Sequence, residues 1–300
     1  MAPTRRAFLL GAGGIVLLAA CGDDSSSSNG TLGGADNTAA GGGSTADTLQ
    51  VGFQVVQRFP SSPLFTPGAV RLPVSLSDGQ NLLLAGPDTL PGWIETIDGE
   101  RVTDITALFR NAGIEVPYYE IRADLPKAGF HVLRFTDDDG NGASFEVVDA
   151  SKVVSPVTGE PLPPFDTPTV DDHRGVEPFC SLTPDPCPLH AVTLTDALTA
   201  GKPVAFMVGT PAHCQTGTCA PGLEFLVAEH ERLGDAVVMV HADVYADDAA
   251  TTVAPAVEAL KVDYEPILYF VDATGVIVDR LDGVWDSGEL RERMDLFLKA

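Results

Sequence analysis

Two cysteines in the segment GTPAHCQTGTCAPG, residues 209–222, have a spacing that permits redox exchange, soft-metal binding or a permanent cross-link. Cys214 and Cys219 are separated by four residues, with His213 directly before the pair and the pliable Gly217 inside it. The apolar run PVAFMVG precedes the segment, and LEFLVAEHERLG follows it with apolar residues at helical spacing. We therefore expect the pair between a buried strand and the start of a helix, where amide dipoles lower the pKa of a thiol.

A second pair, Cys180 and Cys187, lies in the proline-rich stretch CSLTPDPCPLH. We predict a structural disulfide between Cys180 and Cys187, because the two residues are close along a loop that its prolines stiffen. The alternative is a metal site that also includes His190, although the sequence offers no evident fourth ligand.

The first residues, MAPTRRAFLLGAGGIVLLAACGDD, combine two arginines with an apolar run that is too short to span a bilayer. TRRAFL resembles the twin-arginine export signal, and LAAC resembles the bacterial lipobox. The resemblance implies that residues 1–21 are a signal peptide with a lipobox and that Cys21 is lipidated. The protein would then be extracytoplasmic and anchored to the cell membrane through the lipid on Cys21. The alternative is a single-pass N-terminal anchor.

Charge and cysteine count restrict the class of partner. The formal net charge of -24 repels nucleic acid and anionic lipid, so we expect neither as a partner. If Cys21 is lipidated, four of the five cysteines remain, an even number in an oxidising compartment.

Composition divides the rest of the chain into four regions. Residues 22–47 are a flexible linker rich in Gly, Ser and Ala, and residues 151–189 are a Pro-rich interdomain strap. Residues 48–150 contain short β-type runs separated by turn signals, which predict an all-β sandwich that resembles immunoglobulin-like domains of bacterial surface proteins. Residues 190–300 alternate strand and helix patterns in the order β-α-β-α-β-β-α, which predicts an α/β domain.

The last region resembles the thioredoxin fold. Three features carry the resemblance: Cys214 after PVAFMVG, Pro266 in YEPILYFVD, and a terminal hairpin followed by a helix. The resemblance implies a cis peptide bond before Pro266, which would place Glu265 against the cysteine site. The chain departs from the family in having C-x4-C in place of C-x-x-C, with His213 where the family usually has an aromatic residue.

The resemblance implies a thiol-disulfide oxidoreductase that needs no cofactor. Cys214 would be the nucleophile, Cys219 the resolving thiol, His213 a residue that stabilises the thiolate, and Pro266 part of the substrate-facing groove. The partners would be thiols or disulfides of exported proteins.

Two alternatives remain open from the residues. The pair is also similar to the spaced cysteines of Sco-type copper chaperones, which implies a copper or zinc site made of Cys214, Cys219 and His241. The other alternative is a non-catalytic lipoprotein binding module whose disulfides are structural. Five aspartates are scattered in the C-terminal loops without a known ligand spacing, and most of them are expected to be solvated: Asp243, Asp247, Asp248, Asp272 and Asp279.

Overall fold

The structure is a computed structural model that describes Leu49 and residues 51–299. These residues belong to one compact unit. The predicted signal peptide 1–21, the lipidation of Cys21 and the linker 22–47 lie outside the described residues. Among the helices of residues 51–299, none has the length and apolar character needed to cross a membrane.

The fold is rich in β-structure and has few helices, as in a β-sandwich or barrel. The first part of the chain forms nine strands: β1 Gln54–Gln57, β2 Gly68–Arg71, β3 Val74–Ser77, β4 Thr89–Thr96, β5 Arg101–Arg110, β6 Tyr118–Glu120, β7 Arg122–Leu125, β8 Gly129–Phe135 and β9 Ala143–Val147. Seven of them form an antiparallel sheet in the order β1-β3-β6-β5-β4-β8-β9, and β2 pairs with β7.

The seven-stranded sheet is nearly closed, because its first and last strands approach each other. The side-chain amide of Gln57 in β1 donates to the carbonyl oxygen of Ser144 in β9. Inside, three phenylalanines pack edge to face with ring centroids 5.3–6.3 Å apart: Phe59, Phe65 and Phe145. The sheet therefore encloses its own apolar core.

The longest hairpin of this sheet, β4–β5, was not predicted from the sequence. Pro91 and Gly92 lie within β4, and both residue types are unusual inside strands. Pro91 is tolerated because it pairs only with β5, and Gly92 is needed because a Cβ there would collide with the carbonyl of Arg134. Conversely, the apolar run NLLLAG, residues 81–86, has the composition of a strand but contributes only an isolated bridge between Leu82 and Ser77.

The second part of the chain forms a four-stranded sheet with helices. Its elements are α1 Leu194–Thr199, β10 Val204–Val208, α2 Cys219–Leu233, β11 Val238–Ala242, α3 Pro255–Leu260, β12 Ile267–Val271, β13 Ile277–Asp282 and α4 Ser287–Phe297. The strand order is β11-β10-β12-β13, with β10 parallel to β11 and the other neighbours antiparallel. From β10 onward the elements follow one another in the predicted order, and α1 precedes them.

Helices cover this sheet on both faces. Alternate residues of β10 belong to two different apolar clusters, as the pleat of a strand requires. Phe206 packs in the cluster that includes Leu194 of α1 and Leu260 of α3. Met207 packs in the cluster that includes Leu223 of α2 and Leu290 of α4. All five residues of β10 are therefore buried between the two clusters.

A buried ion-pair network joins the two parts of the unit. Glu289 of α4 is fully buried and accepts hydrogen bonds of 2.6 Å from Nε and Nη2 of Arg71 in β2. It also accepts from the hydroxyl of Tyr118 in β6 and, at 3.2 Å, from Nη2 of Arg122 in β7. The predicted strap passes beside this junction, and residues 153–193 contain neither helix nor strand.

Candidate functional site

The structure joins Cys214 and Cys219 in a disulfide at the expected place between β10 and α2. Their Cα atoms are 5.9 Å apart. Cys219 is the first residue of α2, and Gly217 takes a positive φ of 68° in the connecting loop. The loop therefore holds the two sulfur atoms together at the N-terminus of a 15-residue helix.

The two sulfurs differ in access. Cys219 is fully buried, whereas Cys214 is partly exposed. The Sγ of Cys214 accepts a hydrogen bond of 3.3 Å from the backbone N–H of Cys219 and lies 3.2 Å from the hydroxyl of Thr216. A thiolate at Cys214 would be stabilised by that N–H and by the helix dipole. An incoming sulfur could reach Cys214 but not Cys219.

The peptide bond between Glu265 and Pro266 is cis, as predicted. Gly209, directly after β10, separates Pro266 from the buried sulfur. A Cβ at Gly209 would lie 3.3 Å from Cβ of Pro266 and 3.4 Å from Sγ of Cys219. Pro266 therefore packs beside the pair, as the resemblance implied.

A carboxyl group lies next to the disulfide. A carboxylate oxygen of Glu265 is within 4.8 Å of the sulfur of each cysteine, Cys214 and Cys219. Glu265 accepts a hydrogen bond from the backbone N–H of Thr210. Burial raises the pKa of Glu265 to about 7, and the Thr210 bond opposes this only in part. The carboxyl group can therefore accept or donate a proton near neutral pH.

His213 lies beside the loop on the side of Tyr245, with the two ring centroids 6.0 Å apart. It lines a small cavity together with Ser181, Thr210 and Asp243. Its Nε2 atom is buried and has no hydrogen-bond partner among the described residues. In residues 51–299, the potential ligand atoms grouped around the disulfide include Glu265 but not His213.

The other pair differs from its prediction. Cys180 and Cys187 are free, buried thiols and not the predicted structural disulfide. The physical reason is that each thiol has a hydrogen-bonding partner other than a bonded sulfur, since the imidazole of His241 lies beside both. Their sulfurs are 3.8 and 3.6 Å from Nδ1 of His241, and the backbone N–H of Cys187 donates to the sulfur of Cys180 at 3.3 Å.

His241 therefore does not join Cys214 and Cys219, and the predicted alternative metal site made of those three residues is not assembled. His241 lies in β11 and groups instead with Cys180, Cys187 and His190. The hydrogen bond from the Cys187 thiol and the neighbouring imidazoles of His190 and His241 hold the pKa of Cys180 below its ordinary value.

Asp243 also differs from expectation, because it is 3% exposed and not solvated. It accepts a 3.0 Å hydrogen bond from the backbone N–H of Ser181, and its other oxygen is 3.4 Å from Nε2 of His241. Burial raises the pKa of Asp243 to about 6. The sequence signal for both residues is the run AVVMVHADV, in which a histidine lies inside an otherwise apolar strand.

No protein-family model and no curated protein matches this chain. The functional assignment therefore depends on the geometry of the site.

Proposed function

We propose that this chain carries out thiol-disulfide exchange on exported proteins through Cys214 and Cys219. One observation supports this above all others: the disulfide has one accessible sulfur and one buried sulfur at the start of a helix. A purely structural cross-link gains nothing from such asymmetry. Exchange needs it, because one sulfur must meet the substrate while the other waits to complete the reaction.

The second part of the unit is proposed to be thioredoxin-like. The strand order β11-β10-β12-β13, the helices on both faces and the cis bond before Pro266 support this assignment. The first part is proposed to be an immunoglobulin-like spacer. Its seven-stranded antiparallel sheet supports this reading.

In the reducing direction, the thiolate of Cys214 attacks one sulfur of a substrate disulfide. The substrate S–S bond breaks, its other sulfur leaves as a thiolate and takes up a proton, and a mixed disulfide joins Cys214 to the substrate. The thiol of Cys219 then loses its proton and attacks the sulfur of Cys214. The second substrate thiolate leaves, so two electrons have passed from the cysteine pair to the substrate, and the substrate thiolates take their protons from the solvent.

Glu265 is proposed to take the proton from Cys219 in the second step. Its carboxylate oxygen is within 4.8 Å of that sulfur, and its pKa of about 7 makes it a competent acceptor near neutral pH. The same group returns the proton when the reaction runs toward oxidation. Pro266, which is buried, packs beneath the surface beside the sulfurs in this scheme.

The proposed location is the outer side of the cell membrane, with a lipid on Cys21 and the linker 22–47 as a tether. The motifs TRRAFL and LAAC support this placement. Twin-arginine export and lipidation can be tested together by mass spectrometry of the mature N-terminus.

Trapping tests the exchange reaction. In Cys219→Ser the resolving thiol is absent, so the mixed disulfide at Cys214 should accumulate as adducts that a reducing agent releases. The matched control is Cys214→Ser, which retains a thiol at the same site but in the buried position and should form no adducts. Oxidised glutathione serves as a defined substrate, with the adduct measured by its mass.

Two results would contradict the proposal. One is the absence of adducts on Cys219→Ser with both glutathione and exported proteins. The other is a reduction potential of the pair below about -300 mV, since such disulfides resist reduction and act as structural cross-links.

A further inference from the structure

Four side chains outside the disulfide site point their ligand atoms at one another. The sulfurs of Cys180 and Cys187 and one ring nitrogen each of His190 and His241 all lie within 4.8 Å of one another, and all four residues are buried. Nε2 of His190 is 3.1 Å from Nδ1 of His241, which is 3.8 and 3.6 Å from the two sulfurs.

These separations fit the edges of a coordination tetrahedron. Zinc bonds of about 2.3 Å to sulfur and about 2.0–2.1 Å to nitrogen, at tetrahedral angles, separate sulfur from nitrogen by about 3.5–3.6 Å. The same geometry separates the two nitrogens by about 3.3–3.4 Å. Each measured distance is within about 0.3 Å of its expected edge.

Hydrogen bonding fixes which nitrogen of each imidazole faces the centre. Nδ1 of His190 is 3.1 Å from the carbonyl oxygen of Pro168, and Nε2 of His241 is 2.8 Å from that of Gly209. A carbonyl oxygen only accepts, so each outer nitrogen carries the hydrogen. The inner nitrogens of neutral imidazoles are then bare lone pairs that face each other at 3.1 Å. A positive centre between the two nitrogens satisfies both lone pairs, either as a proton carried by one imidazole or as a bound metal ion. The two sulfurs beside the nitrogens complete the donor set of a metal ion.

We propose that Cys180, Cys187, His190 and His241 bind one zinc ion in a closed tetrahedral site. Two thiolates and two imidazoles are a ligand set that Zn²⁺ prefers. A divalent ion neutralises the two thiolates, whereas copper(I) would leave a net negative charge in a buried, apolar cluster. All four ligands come from this chain, so the metal has no open position and its role is structural.

The surroundings of the ligands are those of a metal site. Each imidazole donates its outer N–H to a carbonyl oxygen, which sets the ring orientation. The carboxylate of Asp243, 3.4 Å from Nε2 of His241, makes no hydrogen bond to that ring but places a negative charge beside it. The backbone N–H of Cys187 donates to the sulfur of Cys180, which stabilises the thiolate form that binds the metal.

The ion would fasten the predicted strap to the sheet. Cys180, Cys187 and His190 lie in the segment between residues 153 and 193 that has no helix or strand, and His241 lies in β11. A segment without regular hydrogen bonds gains order from four ligand bonds to one centre. This inference is independent of the proposed exchange reaction, because it uses none of the residues of the disulfide site.

Metal analysis of the full-length chain, purified under reducing conditions with zinc in the medium, tests the proposal. We expect about one zinc per chain in the wild type and in the double variant Cys214→Ser/Cys219→Ser. We expect none in Cys187→Ser or His241→Gln. Asp243→Asn should keep the site but weaken zinc affinity about 10–100-fold, because it removes the negative charge beside the His241 ring.

Two measurements on the wild type remain decisive if a ligand variant does not fold. Cobalt(II) should replace zinc and give the absorption spectrum of tetrahedral coordination with thiolate ligands. Zinc should also protect Cys180 and Cys187 from alkylation, and a chelator should remove this protection. Any one of four results would overturn the proposal. Two concern the wild type grown with zinc, namely the absence of bound zinc or a disulfide between Cys180 and Cys187. The others are a preference for copper(I) over zinc and the loss of zinc from the Cys214→Ser/Cys219→Ser variant.

Discussion

The replacement Glu289→Gln tests whether the buried ion pair between Glu289 and Arg71 holds the two parts of the unit together. The carboxylate has no solvent exposure, and the Arg71 side chain is 7% exposed. Burial alone would raise the pKa of Glu289, but the charge and hydrogen bonds of Arg71 outweigh burial and lower this pKa to about 2. Glutamine keeps the shape of the side chain and removes its charge.

Two routes give the size of the effect on the free energy of unfolding. A fall in pKa from 4.5 to about 2 corresponds to about 3.4 kcal/mol, since each pKa unit is about 1.36 kcal/mol. Removing one partner of a buried ion pair costs about 3–5 kcal/mol. Arg71 would still donate to the carbonyl oxygens of Asp282 and Val284, so we expect about 3 kcal/mol, the lower end.

The assay is urea unfolding at pH 7, followed by the fluorescence of Trp285, which is 2% exposed in the folded protein. The matched control is Glu292→Gln, one turn along the same helix. Glu292 pairs with Arg110, but its side chain is 60% exposed, so its loss should cost less than about 1 kcal/mol.

The same reasoning fixes a pH dependence. Because the folded-state pKa of Glu289 lies below the unfolded value, its stabilisation is present above pH 4.5 and is lost as the pH falls toward 2. The difference between wild type and Glu289→Gln should therefore shrink over that window. A difference below about 1 kcal/mol at pH 7, or one that does not change between pH 5 and pH 2, would refute this account of the junction.

Two further predictions concern single residues near the disulfide. The folded-state pKa of Glu265 is raised from 4.5 to about 7, so the free energy of unfolding of the wild type should fall as pH rises through that window. Relative to Glu265→Gln, we expect a fall of about 2 kcal/mol after allowance for partial exposure. The same pH dependence in both proteins from pH 4 to 8 would contradict this prediction. Gly222→Ala should destabilise by about 1–2 kcal/mol in thermal or urea unfolding, because its Cβ would lie 2.9 Å from the Trp285 ring. The control is Glu224→Ala, at an exposed position of the same helix, which should change the free energy of unfolding by less than about 0.5 kcal/mol. Equal effects of the two variants would argue against close packing at Gly222.

The elements after residue 190 could be predicted because their local patterns agree with their surroundings. β10 and β12 are apolar along their whole length and buried on both faces, so the pattern of each strand is unmistakable. The apolar residues of α2 and α4 repeat at helical spacing because each helix buries one side against the sheet. Pattern and packing indicate the same structure.

The first part was harder to predict because its longest strands are only half buried. β5, Arg101–Arg110, mixes charged, hydroxyl and apolar side chains, and only two of its residues are buried. β4 contains Pro91 and Gly92, which by themselves argue against a strand. What makes these segments strands is pairing with β8 and with each other, and pairing partners distant along the chain cannot be read from composition.

The two cysteine pairs show where local spacing stops being informative. Both pairs are close along the chain, and both were predicted to form disulfides, but chemistry at a pair is decided by what the fold brings to it. Cys214 and Cys219 meet a helix N-terminus and a carboxyl group, the two features on which the proposed exchange reaction depends. At Cys180 and Cys187 strand β11 supplies His241, a residue more than 50 positions away, and its imidazole lies beside both sulfurs. Sequence spacing carries no information about a third group that the fold brings to two thiols.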